Sequence, residues 1–279
     1  MPPEAAPAPV RVLTVASGKG GVGKTNVSVN LATALAALGE RVMLLDADFG
    51  LANVDVLLGL TPKQTLADVV AGRATLADVI LAGPRGLQIV PSSSGKRHMA
   101  EMTPQQHAGI VQAVSTYEGP LDTLIVDTAA GINDAVLTFC QAAQEVLVVV
   151  CDEPASITDA YALVKVLCRE RGIQRVHVIA NMVRSPVEGR ALYDKLARVV
   201  EKFLPEASLA YLGAIPQDDA LRRAVQKQKP VVEAFPSAQA SAAFRELATR
   251  IHRWSRATTP RGHIEFFVER MLEAGGARA

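Results

Sequence analysis

Short apolar runs alternate along this chain with longer stretches in which apolar positions recur at helical spacing. The runs fall at Val12–Ala16, Val42–Leu45, Leu87–Val90, Leu124–Val126, Val146–Val150, Val176–Ala180 and Leu212–Ile215. Branched aliphatic segments this short suit strands buried on both faces. Between most of them lie helical patterns, among them Thr25 to Leu38, closed by Gly39, and Ser156 to Glu170. Ser156-Ile157-Thr158-Asp159 has the spacing of a capping box, which predicts a helix start at Ser156. The alternation predicts an α/β protein, a mainly parallel sheet flanked by helices. Sheets of that kind bind ligands at the carboxyl ends of their strands.

The first run ends at such a site. Gly18-Lys19-Gly20-Gly21-Val22-Gly23-Lys24-Thr25 fits the phosphate-loop spacing G-x-x-x-x-G-K-T/S between a strand and a helix. Glycines let successive backbone N–H groups turn onto a phosphate. Lys24 then reaches the outer phosphates, and Thr25 offers its hydroxyl to magnesium. The free N–H groups and positive end of the following helix add to the attraction. Lys19 is not required by this motif: its ammonium either projects into water or meets a phosphate.

Further carboxylates follow later strands. Asp46-Ala47-Asp48-Phe49-Gly50-Leu51-Ala52-Asn53-Val54-Asp55 comes directly after the second run, where it either caps turns or holds magnesium and an attacking water. Leu124-Ile125-Val126-Asp127 is an apolar strand ending in a carboxylate, as a Walker-B element requires, so Asp127 is expected to bind magnesium directly or through water. Asn181 follows the sixth run, and its amide has the groups to pair with a purine. Pro216 and Asp218 follow the seventh. All three residue types also start turns, and sequence alone does not separate the two roles.

Composition narrows the function classes. The 279 residues are 49% hydrophobic but only 4% aromatic, which implies a core of Ala, Val and Leu. The formal charge of +1 supplies no overall field for nucleic acid or an anionic membrane. Cys140, Cys151 and Cys168 lack metal-ligand or C-x-x-C spacing, which argues against an iron–sulfur carrier and against a disulfide framework. His98, His107, His177, His252 and His263 form no ligand motif and are expected at surface or packing positions. Met1 to Val10 lacks the features of a signal peptide, and no run is long enough to span a bilayer, so a cytoplasmic protein is expected.

The loop K-G-G-x-G-K-T, the D-x-D-x-G-x-x-N-x-D run, the Walker-B strand and Thr128-Ala129-Ala130-Gly131 occur in an order that resembles the MinD/ParA family of ATPases from about Arg11 to Trp254. That resemblance implies ATP and ADP as ligands with magnesium, and a homodimer closed by ATP in which Lys19 reaches the nucleotide of the opposing subunit. It implies that Asp46 supports the metal and its waters, that Asp48 orients the hydrolytic water, and that Asn53 contacts nucleotide or partner subunit. Pro216 and Asp218 match the family's positions beside the purine. Thr128 to Gly131 matches a second switch loop, with Ala129 where the family usually has proline.

Leu44 to Gly59, Cys151 to Tyr161 and Gly262 to Arg270 are similar to the flagellar-number regulators within that family. Their implied partners are an NtrC-type flagellar master transcription activator, which they restrain, and the polar GTPase FlhF. A slow, regulatory hydrolysis is implied, with partition of DNA or MinD-like positioning as the alternatives. The expected organisation is a tail over residues 1–10, an ATPase domain over 11–256 and a C-terminal amphipathic helix with its tail over 257–279.

In that last segment Ile264, Phe267, Val268, Met271 and Leu272 share one face of an expected helix. Glu265, Glu269 and Glu273 lie on its polar side, a poor match to anionic lipid, although Arg250, Arg253, Arg256 and Arg261 upstream partly compensate. Docking on the protein's own core or a partner is weighted above membrane contact.

Overall fold

Period-two alternation assigns the two faces of the central sheet. In the computed structural model, which describes residues 9–92, 99 and 101–276, Leu13 and Val15 of strand β1 (Arg11–Ser17) pack to one side while Val12 packs to the other. The same split separates Leu44 from Met43 and Leu45 in β2 (Val42–Ala47), and Leu147 and Val149 from Val146, Val148 and Val150 in β6 (Glu145–Val150).

Among the described residues, eight strands form one sheet. The remaining five are β3 (Leu81–Ala82), β4 (Gln88–Val90), β5 (Thr123–Ala130), β7 (Arg175–Val183) and β8 (Ser208–Pro216), and the order is β3-β4-β2-β5-β1-β6-β7-β8. Every neighbouring pair is parallel except the two-residue β3 against β4. The mainly parallel α/β sheet expected from the alternation is present, and all seven runs lie in strands or overlap them. β3 had no sequence signal, because two residues cannot display a period.

One face is covered by α1 (Lys24–Ala37) and α11 (Gln239–His252), whose Leu31, Leu35, Phe244, Leu247 and Ile251 are buried against it. On the other face, α5 (Pro104–Ser115) and α6 (Asp134–Ala142) cover the half around β2 and β5. Its other half lies under α7 (Pro154–Arg171) and α8 (Pro186–Phe203). The shorter helices are α2 (Val54–Leu58), α3 (Leu66–Val70), α4 (Leu76–Val79), α9 (Asp219–Gln226), α10 (Val231–Ala234) and α12 (Val268–Gly276). Gly39, at φ +90°, ends α1 as expected.

Three local expectations are corrected. α7 begins two residues before Ser156, at Pro154, because proline is tolerated where a helical N–H has no partner. Ser156 is thus inside the helix, and its hydroxyl accepts the Cys151 N–H at 3.0 Å. The segment Thr128–Gly131 is not a free loop: β5 continues through Ala130, which pairs with Ser17, and the Gly131 N–H donates to the Ser17 carbonyl at 2.8 Å. Alanine at position 129 keeps an N–H for the ladder where proline has none.

The third correction concerns the C-terminal stripe. Phe267 adopts φ +55°, which interrupts the helical period, so α12 starts only at Val268. The buried side chains are Phe266, Phe267 and Met271, whereas Ile264 and Leu272 are more than half exposed. Glu265, assigned to the polar side, is buried and accepts the Arg261 N–H. The Phe266 N–H donates to the Ala142 carbonyl and the Phe267 N–H to the Ser115 hydroxyl, so the segment docks across α5 and α6 on the protein's own core.

The four described histidines are structural. His177 pairs with Glu145 at 2.8 Å and stacks on Trp254; His252 pairs with Glu40 at 2.6 Å; His263 meets the Gln141 carbonyl. His107 is buried between Phe49 and Phe139, and burial lowers its pKa. His98 lies outside the described residues.

Candidate functional site

The sheet order brings β2, β5 and β1 side by side, so their carboxyl ends face one crevice. β1 runs into the phosphate loop, in which Gly21 and Gly23 have φ of +80° and +84°. Only glycine adopts such angles without strain, and at Gly23 an added Cβ would also lie 2.5 Å from Asn181 Nδ2. Gly18 is pressed against α7, since a Cβ there would meet the Asp159 carbonyl oxygen at 2.1 Å.

Lys24 opens α1 and is buried, with its Nζ 3.5 Å from Asp127 Oδ1. Ser28, one helical turn later, donates its hydroxyl to the same carboxylate oxygen at 2.7 Å. The sequence reading missed Ser28; its signal was the i, i+4 spacing from Lys24, which puts both side chains on one helical face. Thr25 is half-buried beside them.

Asp46 and Asp127 are register partners on adjacent strands, both 1% exposed. Asp46 Oδ1 accepts the Asp48 N–H, and its Oδ2 accepts the N–H groups of Asn53 and Val54, each at 3.1 Å. One carboxylate thus organises the turn that carries Asp48 and Asn53. Burial, and then the facing Asp127, push the Asp46 carboxyl up to about 8. Asp48 is half-buried and accepts the Leu51 N–H at 3.1 Å; Asn53 is exposed, and its amide donates to the Leu51 carbonyl.

Magnesium fits this donor set. Two buried carboxylates that disfavour each other's charge are relieved by a cation. Among the described residues no group of three or more His, Cys, Asp or Glu side chains is arranged to hold a metal alone. Magnesium commonly takes one or two carboxylates and completes its shell with phosphates and water. Asp127 and Thr25 would hold it, with Asp46, whose oxygens are already committed to backbone N–H groups, acting through its waters.

The two lysines of the loop lie in different surroundings. Lys19 is at the surface, its Nζ 2.5 Å from Glu153 Oε2 at the start of α7, and that carboxylate raises the lysine pKa. Glu153 was not anticipated, being 134 residues away in sequence. Around the expected purine position, Asn181 is buried and its Nδ2 donates to the Val22 carbonyl at 2.7 Å, which ties the end of β7 to the phosphate loop. Asp218 caps two helices at once, its oxygens accepting the Ala220 N–H at 2.8 Å and the Ala240 N–H at 3.0 Å. The turn-forming reading of Asp218 is therefore realised; Pro216 ends β8 beside it.

A phosphate loop with its lysine on a Walker-B carboxylate, at the carboxyl ends of a mainly parallel sheet, defines a P-loop nucleotide-binding protein. Comparison with known proteins gives the family: a ParA family model, described as NUBPL iron-transfer P-loop NTPase, matches residues 9–252, and the chain belongs to that family. It is 60% identical over 265 residues to the antiactivator FleN of Pseudomonas aeruginosa, covering 95% of this chain and 94% of that protein. It is 35% identical over 227 residues to the flagellum site-determining protein YlxH of Helicobacter pylori, covering 81% and 76%. Among solved structures, the septum site-determining protein MinD from Pyrococcus horikoshii, complexed with Mg-ADP, superposes with a TM-score of 0.72 at 26% identity, over 88% of this chain and 96% of that one.

Proposed function

We propose that this protein is an ATP-driven dimerising switch that sets flagellar number by restraining an NtrC-type flagellar transcription activator. The observation that carries the nucleotide chemistry is the convergence of Lys24, Ser28, Asp127 and Asp46 beneath the phosphate loop. Likeness to FleN and YlxH carries the flagellar part.

In this reading the loop N–H groups and Lys24 bind the outer phosphates of ATP, and Lys24 keeps its place beside Asp127. Magnesium, which Asp127 and Thr25 would hold, would supply charge neutralisation at the phosphates. Asp48 leaves the Leu51 N–H and orients the attacking water, giving ADP and phosphate slowly enough for the bound state to act as a timer. Lys19 reaches the nucleotide of the second subunit, and Asn53 contacts nucleotide or partner. Asn181 and Pro216 flank the purine, with Asp218 holding the adjoining helices. Residues 11–256 form the ATPase unit and 257–279 a regulatory appendage that exchanges its own core for a partner or, transiently, a membrane at the cell pole. FlhF is a further candidate partner.

Light scattering with magnesium and a nonhydrolysable ATP analogue tests the switch: the wild type is expected to double in mass, and Lys19→Ala to bind nucleotide but remain monomeric. A normal dimer in that variant would return Lys19 to the role of a solvated surface lysine. Inhibition of the activator's own ATPase by the ATP-loaded protein tests the partner assignment.

A further inference from the structure

Glu153 occupies the N-cap of α7, a place where Ser, Thr, Asp or Asn would turn a side chain onto the helix's own N–H groups. Its carboxylate makes no such cap. The turn is completed without it: the Glu153 N–H donates to the Cys151 carbonyl at 2.8 Å, and the Ser156 hydroxyl accepts the Cys151 N–H. The carboxylate is free for another task, and it lies on Lys19.

Both ends of that contact are fixed by backbone. The Ser17 hydroxyl donates to the Lys19 carbonyl at 3.0 Å, and Gly18 abuts the Asp159–Ala160 backbone of α7, so the loop and the helix carrying Glu153 keep a set distance. The two side chains remain partly open to water, 35% exposed for Lys19 and 60% for Glu153, so the contact breaks without unpacking the core.

We propose that Glu153 is a positioning residue that holds Lys19 within its own protomer, so that the ammonium passes from carboxylate to nucleotide phosphate as two protomers close. This rests on the reading in which Lys19 crosses the dimer interface. The carboxylate sets a threshold for closure: ATP in both subunits has to outcompete two Glu153 side chains. Exposed ion pairs shift equilibria by roughly 1.4- to 5-fold each. A symmetric dimer opens two, which places the threshold at roughly 2- to 25-fold in the dimerisation constant.

The test uses the full chain as wild type, Glu153→Gln, Glu153→Asp and Lys19→Ala. Dimerisation is followed by sedimentation across protomer concentrations with magnesium and a nonhydrolysable ATP analogue, with nucleotide affinity titrated at concentrations where the protein is monomeric. Glu153→Gln is expected to dimerise at roughly 2- to 25-fold lower concentration with unchanged monomer affinity for nucleotide. Glu153→Asp, which keeps the charge, is expected to restore much of the wild-type threshold. Thermal unfolding separates this from a helix-end effect, because loss of a carboxylate at a helix N-terminus lowers stability without promoting assembly. An unchanged or raised midpoint in Glu153→Gln, with Lys19→Ala unable to dimerise, overturns the role of Glu153 and leaves the Lys19 reading standing. Normal dimerisation of Lys19→Ala removes both.

Discussion

Asp127 shows how one buried carboxylate acquires several dependants. It accepts from Ser28 and faces Lys24, while Asp46 lies beside it on the next strand. Lys24→Ala removes both the phosphate's ammonium partner and the cation nearest to Asp127, so nucleotide affinity is expected to fall by roughly tenfold to a hundredfold, as for loss of a charge-assisted hydrogen bond. Calorimetric titration checks this. Asp48→Ala is expected to bind ATP with near wild-type affinity and to lose about a hundredfold or more in phosphate release. Unchanged turnover would remove Asp48 from the reaction. At Gly23, alanine meets both a left-handed backbone and the Asn181 amide that holds Val22. Strain of about 1–3 kcal/mol confined to the loop is expected to weaken nucleotide binding while the melting temperature changes little.

Among the elements, the C-terminal segment is the one whose packing departs most from its sequence pattern. Phe266 stacks on Phe139, whose ring lies 5.7 Å from Phe49, the residue directly after Asp48. The docked segment and the turn that carries Asp48 therefore share one aromatic cluster, which also contains His107. Phe266→Ala deletes a fully buried ring, a change that costs about 3–5 kcal/mol in a core. A terminal segment can open locally instead of unfolding the whole domain. The expected result is accelerated hydrogen exchange over residues 264–272 with a smaller fall in melting temperature. Phe267→Glu is expected to undock the same segment. If nucleotide gates this docking, exchange there differs between ADP and a nonhydrolysable ATP analogue, and liposome sedimentation separates lipid from protein docking. Equal protection in both states, with no liposome binding, would make the segment a fixed structural one.

Across the whole molecule, the end of the sheet remote from the nucleotide site is held by ion pairs. Arg11 and Glu40 meet at 3.0 Å, both side chains 4% exposed, and Arg11 also donates to the His252 and Trp254 carbonyls, tying the end of α11 to β1. Asp122 accepts two guanidinium N–H bonds from Arg41, at 2.7 and 2.8 Å, and one from Arg256. The Arg41 bonds hold its carboxyl well below the usual carboxylate range. A depressed acid contributes stability that is present above the unfolded pKa, near 4, and is lost as pH falls toward the folded one. Asp122→Asn is expected to lower stability at neutral pH and to flatten its decline below about pH 4, read from urea midpoints between pH 2 and 7.

The strands, the phosphate loop and the order of carboxylates were legible in the sequence because each is local. A run such as Val146–Val150 carries its burial in its own side chains, and G-x-x-x-x-G-K-T carries its backbone requirement in its own glycines. The pairing of Lys19 with Glu153, the tie from Asn181 to Val22, the double cap at Asp218 and the burial of Phe266 in place of Ile264 were decided only in the tertiary structure. The first two join residues that strand order or helix packing brings together from distant parts of the chain, which no local pattern encodes; at Asp218 the local cap on Ala220 was open to a sequence reading and the second cap, on Ala240, was not. At the C-terminus, a single left-handed residue, Phe267, shifted which side chains face the core. A periodicity argument assumes one continuous helix, and the docking surface on α5 and α6 selected another path.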